Sequence, residues 1–219
     1  MNDFEIAPSL LAADFGYLMR DIKAVESHTN YLHLDVMDGH FVDNLSIGVP
    51  VVESIRRYTD MFFDVHLMLT NPEKFIKAFA DAGANMITFH IECTDNPEEL
   101  IKTIRSYGLK AGISVHPHTP IEKVLPFADK CDLILVMTVV PGFGGSSYLD
   151  GSDSRISAVR KAIDEAGADT FLSVDGGINK NTIKRAYDAG ARYFVAGSAV
   201  FNGEDTGRSV EELRSCITL

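Results

Sequence analysis

The sequence predicts an α/β chain folded as a (β/α)8 TIM barrel. Three observations lead there. Short, almost continuously apolar runs recur about every two to three dozen residues, as buried parallel strands do. Several of these runs follow a Gly-bearing punctuation of one kind, the usual exit from a helix. Eight such runs fit within 219 residues, the size of one barrel. A doubly wound open sheet is the competing arrangement.

In chain order, strands are expected over residues 5–10, 31–37, 61–68, 86–90, 110–115, 133–138, 170–174 and 193–196. Ala82-Gly83-Ala84 precedes the fourth, Tyr107-Gly108-Leu109 the fifth, Ala166-Gly167-Ala168 the seventh and Ala189-Gly190-Ala191 the eighth. Helices are expected in between, among them 71–82, 97–107 and 179–189. Residues 1–219 read as one catalytic domain, with no linker or low-complexity tract.

Hydrophobic residues make up 46% of the chain and charged residues 23%, enough to fill a core and cover it. No apolar run is long enough to span a bilayer, and the N-terminus has no leader pattern. Cys93, Cys131 and Cys216 are odd in number and widely spaced, which suits a reducing, cytoplasmic compartment. The net charge of −11 argues against nucleic acid and anionic membranes as partners. An anionic ligand would need purely local binding.

Chemistry in this fold sits at the C-terminal ends of the strands. The polar residues expected there are Ser9, His33, Asp35, Asp38, Asp64, His66, His90, Glu92, His116, Thr138, Asp175 and Ser198. His33 and Asp35 share one face of their strand, while Leu32, Leu34 and Val36 point the other way. Alone, that pair is equally a buried hydrogen-bonded couple or a functional one. His66 ends the next strand and Asp175 ends the seventh. Two imidazoles and two carboxylates converging on one mouth make a candidate divalent-metal site of mixed N/O ligands. Met37, Met68 and Met137 also fall at strand ends. Singly they read as core filler; together they could wall a dry pocket above the metal.

Glycines cluster after the last three strands: Gly142, Gly144 and Gly145; Gly176 and Gly177; Gly197 beside Ser198. Tight turns alone would use glycine this way. Glycines at adjacent strand ends also let backbone N–H groups approach a phosphate, assisted by a helix N-terminus after the eighth strand. An acidic chain could hold an anion so.

These residues lie in segments that resemble the ribulose-phosphate 3-epimerase family along essentially the whole chain. The segments include Ala7-Pro8-Ser9-Leu10-Leu11-Ala12-Ala13-Asp14-Phe15, His33-Leu34-Asp35-Val36-Met37-Asp38-Gly39-His40-Phe41-Val42, Asp64-Val65-His66-Leu67-Met68 and Val136-Met137-Thr138-Val139. Pro141-Gly142-Phe143-Gly144-Gly145, Val174-Asp175-Gly176-Gly177-Ile178 and Val195-Ala196-Gly197-Ser198-Ala199-Val200-Phe201 complete the set. The resemblance implies a ribulose-phosphate-binding barrel. It makes His33, Asp35, His66 and Asp175 ligands of one divalent ion (Zn, Fe, Mn or Co). Asp35 and Asp175 become the acid–base pair, moving a proton through a metal-stabilised enediolate. Ser9, His66, Met37, Met68, Met137 and Asp175 fall at the substrate, with Gly142, Gly144, Gly145, Gly176, Gly177, Gly197 and Ser198 around its phosphate. The partner implied is a small ketose phosphate, with no organic cofactor, in a homo-oligomer.

The reaction implied interconverts D-ribulose 5-phosphate and D-xylulose 5-phosphate in the pentose phosphate pathway. The chain departs from the family pattern at Asp43, His116, Val140 and Ser146. These leave substrate preference open, and D-allulose 6-phosphate 3-epimerase is the alternative. A metal-free barrel lyase or decarboxylase would carry an essential Lys at a strand end, which this chain lacks. A non-catalytic sugar-phosphate binder would not need both aspartates and both histidines.

Overall fold

The computed structural model describes residues 4–203 and 205–218. Its strands are β1 (Glu5–Pro8), β2 (Tyr31–Met37), β3 (Phe62–Met68), β4 (Met86–His90), β5 (Lys110–Val115), β6 (Leu133–Met137), β7 (Phe171–Asp175) and β8 (Tyr193–Ala196). All pair in parallel with their neighbours from β2 to β8, and β8 pairs with β1. A single bridge between Ser9 and His33 brings β1 back to β2. The sheet thus curls into a barrel. An open doubly wound sheet would instead reverse its strand order part-way and keep two edges.

Seven α-helices lie among the described residues: α1 (Leu18–Val25), α2 (Val49–Arg56), α3 (Ile76–Asp81), α4 (Pro97–Ser106), α5 (Ser152–Ala166), α6 (Ile183–Asp188) and α7 (Thr206–Thr218). Strict alternation predicts a helix between β5 and β6 as well. Two 3₁₀ turns, Ile121–Lys123 and Leu125–Phe127, stand there instead. Pro117, Pro120 and Pro126 explain the difference, because each lacks an N–H donor and disfavours helix in the residue before it.

Other boundaries shift for local reasons. Residues 9–10 leave β1, because the Ser9 hydroxyl caps the turn Leu10–Ala12. The stretch 71–82 divides into a 3₁₀ turn at Pro72–Lys74 and α3. The stretch 179–189 becomes helical only at Ile183, because Thr182 Oγ1 donates to the Gly177 carbonyl and accepts from Asn179 N. Gly167 ends α5 as expected, in a left-handed conformation with φ 61°.

Packing follows the strand alternation. Leu32, Leu34 and Val36 of β2 and Phe63, Val65 and Leu67 of β3 are buried toward the helices. Each such side chain contributes about 2 kcal/mol of burial. The inward faces form layers. Tyr31, Phe62, Phe171 and Tyr193 close one end with tilted and edge-on ring contacts. Met86, Leu133 and Leu135 are also buried inside. The inner face turns polar toward the other end, with His33, Asp64, Thr88, Ser114 and Ser173 almost fully buried. Gly112 is required there, since a Cβ at that position would collide with the Thr88 side chain.

The loops at the polar end are tied by Asp38. Its Oδ1 accepts from His40 N and Phe41 N, each at 2.8 Å, and its Oδ2 accepts from Thr70 N at 2.8 Å. Asp38 therefore joins the loop after β2 to the loop after β3. Burial raises its pKa, but these amide donors outweigh that and hold it down at about 2. A depressed carboxylate stabilises the fold above its unfolded pKa and loses that effect as pH falls through its folded value. Asp38→Ala is therefore expected to destabilise the protein at pH 7 by about 1–2 kcal/mol, at the low end because the group is partly solvated. Denaturant titrations of both proteins between pH 7 and 2 should show the difference shrinking in the acid.

Candidate active site

The register of β2 against β3 builds the centre of the site. His33 lies opposite Asp64, and Asp35 opposite His66. All four side chains point inward and are almost fully buried. His33 Nδ1 donates to Asp64 Oδ2 at 2.8 Å, and Asp64 Oδ1 accepts from Thr88 Oγ1 at 3.2 Å. This leaves His33 Nε2 facing the cluster, 3.3 Å from Asp35 Oδ1 and 4.0 Å from Asp175 Oδ2. His66 Nδ1 faces the same point, 3.1 Å from Asp35 Oδ1, 3.8 Å from Asp175 Oδ2 and 3.4 Å from His33 Nε2. Asp35 Oδ2 accepts from the Ser9 hydroxyl at 2.6 Å.

One ligand atom from each of His33, Asp35, His66 and Asp175 falls within 4.8 Å of the others. Ligands at about 2.1 Å around a tetrahedral ion stand about 3.4 Å apart, so these separations suit a first-row divalent metal. The donor chemistry suits it too. Both imidazoles turn a ring nitrogen inward while the other nitrogen is engaged outside the cluster.

Charge is unevenly divided between the two aspartates. Burial raises both. At Asp35, His33 and His66 overcome burial through charge and hydrogen bonds, and the carboxyl is held well below the usual range. At Asp175, burial is reinforced by the charge of Asp35, and the pKa rises to about 6. Burial disfavours the charged form of His33, but Asp35 and Asp64 outweigh it and hold its pKa well above the ordinary value.

Above this floor opens a cleft of about 400 Å³. Ser9, Asp35 and Asp175 reach its base, and Met37, Met68 and Met137 line it. Gly142, Gly144, Gly145, Gly176, Gly177, Gly197 and Ser198 line its other side. His33 and His66 lie beneath the floor, fully buried. Among the described residues, no Lys or Arg lines the cleft. Among the described residues, the N–H groups of Gly177, Gly197 and Ser198 find no backbone acceptor. The expected helix N-terminus after β8 is absent. The chain makes one turn, with Val200 N and Phe201 N donating to the Gly197 carbonyl, and α7 starts only at Thr206. Any anion held there would rely on local amides rather than on a helix dipole.

Thr138, expected at a strand end, and Ser46 and Asn44, which strand reading did not single out, supply supporting contacts. Thr138 Oγ1 donates to the carbonyls of Asp175 and Gly176, at 2.9 and 2.6 Å, and anchors the turn after β7. Ser46 Oγ donates to the Asp35 carbonyl and accepts from Met37 N. Asn44 Nδ2 donates to the Gly142 carbonyl at 2.7 Å, docking the loop after β2 on the loop after β6. Neither Ser46 nor Asn44 belongs to a strand, so strand periodicity could not find them. Asp64 was recognisable, two residues before His66 on the same face, but it serves His33 from below rather than reaching the cleft. Of the four departures from the family pattern, only Ser146 lines the cleft. Asp43 and Val140 are exposed, and His116 lies outside it.

The sequence profile of the Ribulose-phosphate 3 epimerase family matches residues 5–201. The chain belongs to that family. It is 49% identical to the ribulose-phosphate 3-epimerase of Mycobacterium tuberculosis over 209 residues, covering 95% of this chain and 91% of that protein. It is 43% identical to the Bacillus subtilis ribulose-phosphate 3-epimerase, covering 96% and 98%. The cytoplasmic isoform of Oryza sativa is 41% identical over 97% of this chain and 94% of that one. Among solved structures, a KGPDC from Streptococcus mutans superposes with a TM-score of 0.76, 13% identity and coverage of 99% and 98%. A 3-hexulose-6-phosphate synthase superposes at 0.70 with 17% identity, covering 97% and 99%. Such distant likenesses establish the barrel fold alone. The family makes this chain an enzyme of the isomerase class.

Two glycines of the cleft separate folding from binding. Gly177 has φ 65°, and a Cβ there would meet the Tyr148 backbone. Gly197 has no such strain; its Cβ would stand 3.2 Å from Ala12 Cβ and 3.9 Å from Ser9 Cβ, inside the cleft. Gly177→Ala is expected to lose more than about 1 kcal/mol of stability. Gly197→Ala, whose Cβ must displace Ala12 Cβ slightly, is expected to lose less stability than Gly177→Ala while KM rises about tenfold, the loss of roughly one charge-assisted hydrogen bond. Thermal melts and steady-state kinetics on both variants check this.

Proposed function

We propose that the protein is a metal-dependent 3-epimerase interconverting D-ribulose 5-phosphate and D-xylulose 5-phosphate. The observation that carries the proposal is the buried quartet of His33, Asp35, His66 and Asp175 at the floor of a cleft whose far wall is glycine amides. The names of the relatives support the substrate. The placement of Asp43, His116 and Val140 outside the cleft favours this pentulose over D-allulose 6-phosphate. The absence of Lys from the cleft lining disfavours a lysine-dependent lyase.

Epimerisation beside a ketone removes a proton from one face of a carbon and returns one to the other face. Asp35 and Asp175 are suited to share that task because their surroundings split their proton affinities. Asp35, which accepts from the Ser9 hydroxyl and would stay ionised beside a divalent cation, takes the proton at a carboxylate oxygen. Asp175, the more basic of the two, delivers one from the opposite side. Reversing these protonation states runs the reaction backwards. A divalent ion held by the four ligands would supply positive charge where an oxygen anion develops on the substrate. Met37, Met68 and Met137 keep water from the carbanionic carbon. Amides of Gly145, Gly177, Gly197 and Ser198 hold the phosphate away from the reacting carbon and fix its orientation. The whole barrel acts as one catalytic domain. The relative named as a cytoplasmic isoform supports a cytoplasmic setting. No described helix is long and apolar enough to cross a membrane.

Chelation is expected to abolish turnover, and Zn²⁺, Mn²⁺, Fe²⁺ or Co²⁺ to restore it. Full activity in protein shown by elemental analysis to be metal-free would overturn the metal reading. Asp35→Asn and Asp175→Asn should each stop net epimerisation, losing at least about 10³-fold in kcat. In deuterated solvent, each metal-loaded variant should exchange the C3 hydrogen of only one epimer, and of opposite epimers. A kcat/KM for D-allulose 6-phosphate above that for D-ribulose 5-phosphate would reassign the substrate.

A further inference from the structure

Two polar residues at the end of β4, His90 and Glu92, take no part in the reaction described above. His90 is fully buried, its ring 4.6 Å from that of Phe41 and 5.0 Å from that of His66. Its Nε2 lies 2.9 Å from His66 Nε2, the ring nitrogen turned away from the quartet. Its Nδ1 lies 3.3 Å from Glu92 Oε2. The other oxygen, Glu92 Oε1, accepts from His116 N at 2.9 Å. Arg155 of α5 braces the loop that presents this amide, donating to the carbonyls of Thr119 and His116 at 2.9 and 3.0 Å.

Proton positions along this row follow from its outer end. An ionised carboxylate only accepts, so His90 Nδ1 must carry a hydrogen. A neutral His90 then presents a bare Nε2, which can only accept. His66 Nε2 must therefore be the donor. A neutral His66 with its hydrogen on Nε2 has a lone pair on Nδ1, directed at Asp35 and Asp175. Reversing the row would put the hydrogen on His66 Nδ1 and remove it as a ligand.

We propose that Glu92, acting through His90, is a positioning residue that fixes the tautomer of His66 and so makes its Nδ1 a metal ligand. Asp64 does the equivalent for His33 directly. The proposal rests on the metal site proposed above. It assigns a role to the row His66–His90–Glu92–His116 N–H that packing alone would not require.

Glu92→Gln tests it with almost no change of size. The His116 N–H holds the amide oxygen, so the new NH₂ group faces His90 Nδ1 and drives the row into its reversed state. In chelator-stripped protein, competition titration should show Zn²⁺ and Co²⁺ binding weakened by about 10–100-fold. The visible absorption of the Co²⁺ form should change as one imidazole leaves the ion. Adding His90→Gln should recover affinity, because the new side-chain amide can turn its oxygen to His66 whatever Glu92→Gln presents. Packing without a proton relay predicts the opposite, a double variant worse than the single one. Glu92→Gln with wild-type metal affinity and an unchanged Co²⁺ spectrum would overturn the proposal and leave the metal site standing. Wild-type protein that bound neither ion would overturn both. Should the double variant fail to fold, as judged by circular dichroism, Glu92→Gln decides alone, since its side chain is partly exposed.

Discussion

The parallel pairing of β2 with β3 holds His33 against Asp64 and Asp35 against His66. Strand side chains alternate, so a one-residue slip of β2 against β3 would turn His33 and Asp35 toward the helices and bury charge in the apolar layer. The same slip would turn Leu32 and Leu34, which now pack against the helices, into the polar end of the barrel. Core and site therefore enforce one register together. The remaining parts of the mouth are referred to that frame. Ser9 touches Asp35 from β1, Thr138 anchors Asp175 from the end of β6, and His90 meets His66 from β4.

An acidic protein that binds a phosphorylated substrate must avoid a general electrostatic solution. Two basic side chains at the mouth would have paired with Asp35 and Asp175 and competed with a metal for them. Glycine amides supply partial positive charge without a titrating group, and they reach only a short distance. The net charge of −11 is thus compatible with anion recognition because the two are separated in scale. The missing helix after β8 sharpens this. One turn at Gly197 to Phe201 offers oriented N–H groups but little macrodipole.

The barrel and the candidate quartet were legible in the sequence because both are written in periodicity; the register of the strands was not. Alternation put His33 with Asp35, and the length of each apolar run set the strand ends. The methionine wall and the glycine-lined side of the cleft followed from position at those ends. What escaped was non-periodic. The helix missing between β5 and β6 reflects three prolines whose effect outweighs the expectation of alternation. Ser46 and Asn44 act from a loop whose path depends on the Asp38 amide contacts. Even Asp64, visible on the correct face, could not be assigned between the cleft and the interior without knowing that His33 turns Nδ1 toward it.

The prolines between β5 and β6 have a consequence at the proposed metal site. A helix there would have consumed the backbone groups of the following turn in its own ladder. The chain instead runs from β5 through His116 to Thr119 as an irregular turn, and Arg155 of α5 binds the carbonyls of both residues. That contact fixes where the His116 N–H points, and the N–H in turn orders the two oxygens of Glu92. Burial disfavours Glu92 as an anion. Hydrogen bonds from His90, Thr119 and the His116 amide overcome this and hold its pKa at about 2. Burial likewise pushes His90 down to about 4, so near neutral pH the row is an anion, a neutral ring and then the ligand. The protonation pattern that the proposed ligand role of His66 requires is thus supported from the outer helical layer inward, through a loop that stays irregular because its prolines disfavour helix.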